Sequence, residues 1–304
     1  PYLYREIEAA QDKDRSRGIA AFDAAFSGHT SFMLRNMVGS FVHALTFGAF
    51  ASTPFNHEMA RWYKKLARYA QSFALVGDWT VAFLGGDLKR KQRLSGRMAD
   101  ILSDLYLLSS ALKRYEDDGR IPEDRAVVDA AARDLIFSIE QSFAAVFANF
   151  PNFWLRNLMR LLVFPLGRHA RPASDRETYR LVRSILRPGA LRDRLTTGIY
   201  VSMDPKDVTG VLEDAFVKVT KAEDVEAKFV RAVKKGQVAR RLDRDAITDA
   251  VDNGILTEAE AATLRLADQA TDRAIKVDDF DADELVPRQL ARRPDEAPVE
   301  SAAE

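Results

Sequence analysis

Apolar residues recur at spacings of three and four over many turns in the first half of the chain, and that period predicts four long amphipathic helices. The first runs from about His29 to Phe50, with Leu34, Val38, Phe41 and Leu45 on one face. Thr53 and Pro54 then read as a cap and a first-turn proline that open a second helix. Its stripe, between about Glu58 and Leu84, is Trp62, Leu66, Tyr69, Phe73, Val76, Thr80 and Phe83, and it stops at Gly85 and Gly86, whose backbone freedom suits a tight reversal. A third helix, from about Leu88 to Asp117, has Ile101, Leu105, Leu108 and Leu112 as its seam and ends near Gly119. After Pro122 a fourth carries Val128, Leu135, Ile139, Phe143 and Val146. Long helices joined by loops this short pack as antiparallel neighbours, so residues 1–150 are expected to form an up-and-down four-helix bundle in an all-α fold.

After Phe150 the texture changes. Residues 151–174 are apolar, arginine-rich and interrupted by Pro and Gly, which suggests a hinge or a membrane-contact segment. Residues 175–285 read as a smaller helical subdomain with clear start signals: a capping box at Ser174 and Glu177, Asp204 before Pro205, and a second capping box at Thr257 and Glu260 after an Asn253-Gly254 stop. Residues 286–304, with Pro, Ala and Glu but no apolar period, are expected to be a disordered tail.

Composition narrows the chemistry. The 304 residues are 47% hydrophobic and 30% charged, a globular composition, and 45 basic residues balance 45 acidic ones. Any electrostatic function is therefore local. The absence of cysteine excludes disulfides, thiolate nucleophiles, Fe–S clusters and cysteine zinc sites, and fits a cytoplasmic location. No apolar run approaches the roughly 18 residues of a membrane span. The chain opens at Pro1 within a helix lead-in, not at Met, and the expectation is an N-terminally truncated fragment.

Most candidate sites fail on spacing. His29, His43, His57 and His169 lack ligand spacing, and the position four after His57 is Arg61, so a zincin helix is excluded. The run from Leu84 to Lys91 lacks the pattern of a phosphate loop and reads as a helix-helix turn. The acidic run Asp278, Asp279, Asp281, Asp283 and Glu284 lacks the glycine of a calcium loop and reads as a solvated or docking segment.

Two features carry more. Phe153, Trp154, Leu155, Leu158, Leu161, Leu162, Val163 and Phe164 alternate with Arg156 and Arg160 ahead of Arg168, a pattern that suits a membrane interface, a core stripe or a subunit interface. The contact candidates are Phe153, Trp154, Arg156, Arg160, Phe164 and Arg168. Arg176, Arg180, Arg183 and Arg187 then recur at spacings that place four guanidiniums on one face, with Leu181, Val182, Ile185 and Leu186 toward a core. From Arg168 to Arg194 the net charge is five positive, so this stripe is a candidate contact for the phosphates of lipid or coenzyme A, against the alternative of a solvated, paired face. Aromatic residues are too sparse for a nucleic-acid platform.

The strings STPFNHEMARWYKKLARYAQSFAL, FLGGDLKRKQRLSGRMADILSDLYLLSSALKRYEDDGR, FPLGRHARPASD and VDDFDADEL, in that order, resemble the C-terminal region of the bacterial FadE-type acyl-CoA dehydrogenases. The similarity extends from Pro1 to about Leu285. It implies membership of an enzyme that oxidises a fatty acyl-CoA to the trans-2-enoyl-CoA with FAD, the first step of β-oxidation, and passes electrons to an electron-transferring flavoprotein. In that family a glutamate takes the α-proton while the β-hydrogen leaves as hydride to the flavin. The resemblance places that glutamate and most of the FAD site upstream of the position matching Pro1, so neither Glu58 nor Glu140 is assigned a catalytic role. The segment RMADILSDLYLLSSALKR also resembles the extra helical domain of very-long-chain acyl-CoA dehydrogenases, which is associated with dimer packing and membrane attachment. The expectation is a scaffold in a homodimer that docks peripherally on the inner membrane; the alternative is a stand-alone helical interaction module without enzymatic activity.

Overall fold

The computed structural model describes residues 2–202, 204, 207–238 and 245–276, and every regular element among them is helical. The acidic run from Asp278 and the expected disordered tail lie outside the described residues. The helices are α1 (Tyr2–Ala10), α2 (Arg15–Leu45), α3 (Ala60–Leu84), α4 (Gln92–Asp117), α5 (Arg125–Asn149), α6 (Phe153–Val163), α7 (Asp175–Ile185), α8 (Ala190–Thr196), α9 (Val208–Lys234), α10 (Ala246–Asp252) and α11 (Glu258–Ile275). They divide into two compact units, residues 1–186 and 187–304.

In the first unit α2, α3, α4 and α5 pack each against the next, and α6 returns against α2 and α5. The apolar core is built from α3, α4, α5 and α6. Trp62, Tyr69 and Val76 meet Ile101, Leu105, Leu108 and Leu112, and these meet Ile136, Ile139, Phe143 and Val146. The period of the sequence marks most of these positions correctly, although Phe83, at the end of the α3 stripe, is exposed. α6 and α7 belong to this unit, past the boundary read from composition at residue 150: α6 buries Met159, Leu162 and Val163, and Glu177 of α7 pairs with Arg133 of α5 at 3.2 Å.

Several helix ends differ from those read in the sequence. α3 begins at Ala60 and not at Thr53, whose hydroxyl instead closes a local turn on Phe55, accepting from its N–H at 3.3 Å. Phe55 packs its ring on His57 and Tyr63, which anchors this segment outside the helix. α4 starts at Gln92, after a 3-10 turn at Gly85–Lys89 that absorbs the reversal with Gly85 at a φ of 48°.

α2 departs most from expectation. Leu34, Val38 and Leu45 share a face, but it is the outward one, 53%, 58% and 40% exposed. The buried face is small and polar: Gly18, Ala25, His29, Asn36, Ser40 and Ala44. That surface lets two helices approach closely, and the contact is held by directional bonds. The hydroxyls of Ser40 and Ser72 are 2.8 Å apart. His29 stands between α1 and α3, its Nδ1 2.8 Å from Glu6 and its Nε2 3.0 Å from Asp78, with the Tyr2 ring stacked on it. Carboxylates on both ring nitrogens require both to donate, which is the imidazolium form.

A second polar knot lies in the core. Glu140 of α5 is buried; the Tyr69 hydroxyl of α3 donates to one of its oxygens and the Ala170 N–H to the other at 3.0 Å. Burial, opposed by Arg68 and reinforced by Glu140, raises the Tyr69 pKa far above its ordinary value. Arg68, itself buried, lies over the rings of Tyr69 and Phe47.

The second unit has its own core, in which Ala232, Val238, Ile247, Ala250, Leu256, Ala261 and Leu264 pack where α9 and α10 meet α11. α9 starts at Val208, and its cap is Asp207, which accepts from Thr209, not Asp204. The Thr257–Glu260 capping box forms as expected, and the same glutamate takes Lys228 of α9 at 2.9 Å, so one side chain both starts α11 and ties it to α9.

Two expected outcomes follow from the knots. Burial opposes charge on His29, but the bonds to Asp78 and Glu6 outweigh it and raise its pKa. A raised pKa gives stability that is full below the unfolded value of about 6.5 and is lost as pH rises through the folded value. His29→Gln should therefore lower Tm most below the unfolded value of about 6.5, with the gap to wild type narrowing as pH rises above it; a constant gap would show that His29 does not titrate in that range. Tyr69→Phe leaves one oxygen of a buried carboxylate without its donor and should cost about 1–3 kcal/mol in denaturant unfolding.

Candidate functional site

α6 begins at Asn152, whose side-chain oxygen accepts from Leu155 N–H at 2.8 Å. Its inward face is Met159, Leu162 and Val163. Its outward face is apolar as well, with Phe153, Leu158 and Leu161 exposed and Trp154 80% exposed. The rings of Phe153 and Trp154 meet edge to face at 5.4 Å, and the Arg156 guanidinium lies 5.1 Å from the Phe153 ring centre. Phe164, expected as a contact residue, is 7% exposed and packs edge-on against Phe143 and Phe147, so most of its ring belongs to the core.

Between the end of α5, α6 and the loop after α6 lies a cleft of about 690 Å³. Phe147, Leu161, Phe164 and Pro165 supply its apolar walls, and Arg156, Arg160 and Arg168 its charge. Arg168 is seated from α5, where Nη1 donates to Gln141 Oε1 at 2.7 Å. Asn157 also lines the cleft, but its amide donates to the Phe153 carbonyl at 2.8 Å. The sequence pattern found the arginines and the aromatic residues of α6; it missed Ala144, Phe147 and Ala148, because the wall they form lies on another helix. Small residues one turn apart near the end of α5 were the available signal.

The second arginine group is not brought together as expected. Arg176, Arg180 and Arg183 lie on α7, but Arg187 falls beyond the helix end, in the other unit, 3.9 Å from Glu223. The apolar partners expected to face a core do so only in part. Leu181 and Ile185 are half-buried, whereas Val182 and Leu186 are exposed, because α7 makes only a short contact along α5. Arg183 lies over the Tyr179 ring, and Asp175 and Glu177 in the first turn offset part of the charge.

Among the described residues no group of three or more His, Asp or Glu is placed to hold a metal ion. Glu140 spends both oxygens on Tyr69 and Ala170, which makes it structural. No helix among the described residues is long and apolar enough to cross a membrane.

No solved structure matches the chain. The family model described as "Acyl-CoA dehydrogenase, C-terminal, bacterial type" matches residues 1–280, nearly the whole chain, in agreement with the motifs of α3 and α4. The chain belongs to the bacterial-type acyl-CoA dehydrogenase C-terminal family.

Proposed function

We propose that the chain is the helical scaffold of a FAD-dependent acyl-CoA dehydrogenase: it supports assembly of the enzyme that converts acyl-CoA to trans-2-enoyl-CoA and brings that enzyme to the membrane surface. The outward face of α2 carries this reading. Its 31 residues extend roughly 46 Å, and Ile19, Phe22, Phe26, Leu34, Val38, Val42 and Leu45 are exposed along that length. Exposed large apolar residues recurring along one helix in this number suit a protein interface. Because the opposite face of α2 is polar and already committed to α1 and α3, the strip is available to the catalytic core or to a second copy in a homodimer.

Flavin chemistry is assigned to the upstream core. The cleft at α6 suits a phosphate, but it offers a flavin ring little else to bond: the Asn157 amide donates to a backbone carbonyl, and the charged side chains of the cleft are arginines. FAD, the catalytic glutamate and the contact with the electron-transferring flavoprotein are accordingly placed outside these residues, and no step of the oxidation is routed through them. Membrane contact is assigned to α6, where Trp154 and Phe153 stand out beside arginines, the arrangement that settles at headgroup depth.

Two measurements test these assignments. The purified chain and the same chain extended upstream through the dehydrogenase core would be compared for flavin absorbance and palmitoyl-CoA oxidation. Only the extended form should be yellow and active, and Leu34→Glu with Val38→Glu in that form should disperse the assembly in sedimentation. Turnover by the short chain alone would place the active site within it. For the membrane, Trp154→Glu with Arg156→Glu should abolish co-sedimentation with liposomes; unchanged binding would refute contact through α6.

A further inference from the structure

The cleft beside α6 holds three cations that, among the described residues, have no anion of their own. Arg156 and Arg160 stand one turn apart on α6, and Arg168 reaches in from the loop. Among the described residues no carboxylate lines the cleft, and none of the three arginines forms an ion pair. Their contacts are neutral: Arg168 to the Gln141 amide and Arg156 to the Phe153 ring. Some arginines of this unit are paired with acids, as Arg61 is with Asp129 at 2.7 Å and Arg133 with Glu177. Three guanidiniums that line one cleft without such a partner keep their capacity for two-pronged bonding to an oxyanion.

The apolar part of the site says what else the ligand carries. With about 100° of turn per residue, the order around the outward side of α6 is Arg156, Arg160, Phe153, Asn157, Leu161, Trp154, Leu158. The charged side of the cleft thus passes, across Phe153 and Asn157, into an exposed apolar strip, while Phe147, Phe164 and Pro165 line the cleft itself. A free phosphate would use the arginines and leave the strip bare. An amphiphile with a phosphate head uses both, and a volume of about 690 Å³ has room for a glycerophosphate group and the first methylenes of its chains.

We propose that this cleft binds the phosphate of an anionic glycerophospholipid at a bilayer surface, held by Arg156, Arg160 and Arg168, with its acyl chains leaving along Leu161 and Trp154. The proposal rests on the membrane-contact reading of α6 and adds a specific headgroup site to it. It sets the site apart from diffuse attraction, in which any arginine near the surface contributes alike.

The test uses the whole 304-residue chain. Flotation would be measured with vesicles of phosphatidylcholine alone and with added phosphatidylglycerol. Binding of soluble dioctanoyl phosphatidylglycerol, glycerol 3-phosphate and inorganic phosphate would be followed by calorimetry. Phosphatidylglycerol should strengthen vesicle binding about tenfold or more, and Arg156→Gln with Arg160→Gln should remove that gain. Ala148→Trp, which fills the cleft without altering charge, should remove it too. Arg176→Gln with Arg180→Gln on α7 should leave most of that gain in place, since these side chains do not line the cleft and contribute only diffuse attraction that falls off with distance from the surface. Unchanged melting curves would show that the variants remain folded.

Equal losses in the α6 and α7 variants would overturn the site in favour of diffuse electrostatics. Loss through the arginines but not through Ala148→Trp would also overturn it, since the cleft would not then be the binding place. Inorganic phosphate binding as tightly as dioctanoyl phosphatidylglycerol would replace the lipid with a free phosphate and sink the proposal. If soluble lipid binds through the arginines but no vesicle does, the cleft stands and the membrane reading fails. Vesicle binding that ignores phosphatidylglycerol yet needs Trp154 would do the reverse.

Discussion

A carboxylate inside an apolar core costs several kcal/mol unless its oxygens are bonded, and the first unit is organised around one that is. Glu140 takes the Tyr69 hydroxyl from α3 and the Ala170 N–H from the loop beyond α6, so three segments far apart in sequence share one anchor. The neighbouring residue on α5, Gln141, seats Arg168. Two consecutive side chains therefore hold that loop, one by its backbone and one by its guanidinium. The cleft inherits its shape from this arrangement, because its walls are α5, α6 and the loop they hold.

α2 solves a different problem. Burying its apolar face at about 25 cal/mol per Å² would be the stronger contact in isolation. The chain instead spends the Gly, Ser and His face on α1 and α3. The gain is directionality: Ser40 with Ser72, and His29 with Asp78 and Glu6, specify one register, which greasy contacts between long helices do not. Gly18 shows how closely the pieces fit, since a Cβ there would lie 2.8 Å from the Ala9 carbonyl oxygen. The apolar face left over is the basis for reading α2 as an assembly surface.

How much of this was legible follows from what helical periodicity measures. It reports which residues share a face, and for α4, flanked on its inner side by α3 and α5, the apolar face has only one place to go; Ile101, Leu105, Leu108 and Leu112 are buried as read. For α2 the same rule found Leu34, Val38 and Leu45 but not their direction, because the competing inward face was built of small and polar residues that the rule does not score. Capping signals worked where the side chain had no alternative, at Ser174 and Thr257, and failed at Thr53, whose hydroxyl closes its own turn first. For the candidate site, the α6 arginines and Trp154 could be read from spacing, while the wall from α5 and the burial of Phe164 could not, since both depend on a packing partner in another helix.

The two arginine groups show why composition alone could not separate a site from a solvated face. α7 opens with Asp175 and Glu177, so its guanidiniums share their field with acids on the same helix, and Arg187 has an acid within reach beyond it. α6 has no acid in its first turn; the Phe153 ring meets Arg156, and the Gln141 amide meets Arg168 in the loop that follows. Both groups look equally basic along the sequence. Only the α6 group combines unpaired charge with a walled cleft and an adjoining apolar strip, and it is that combination, more than the number of cations, that gives a surface something to select.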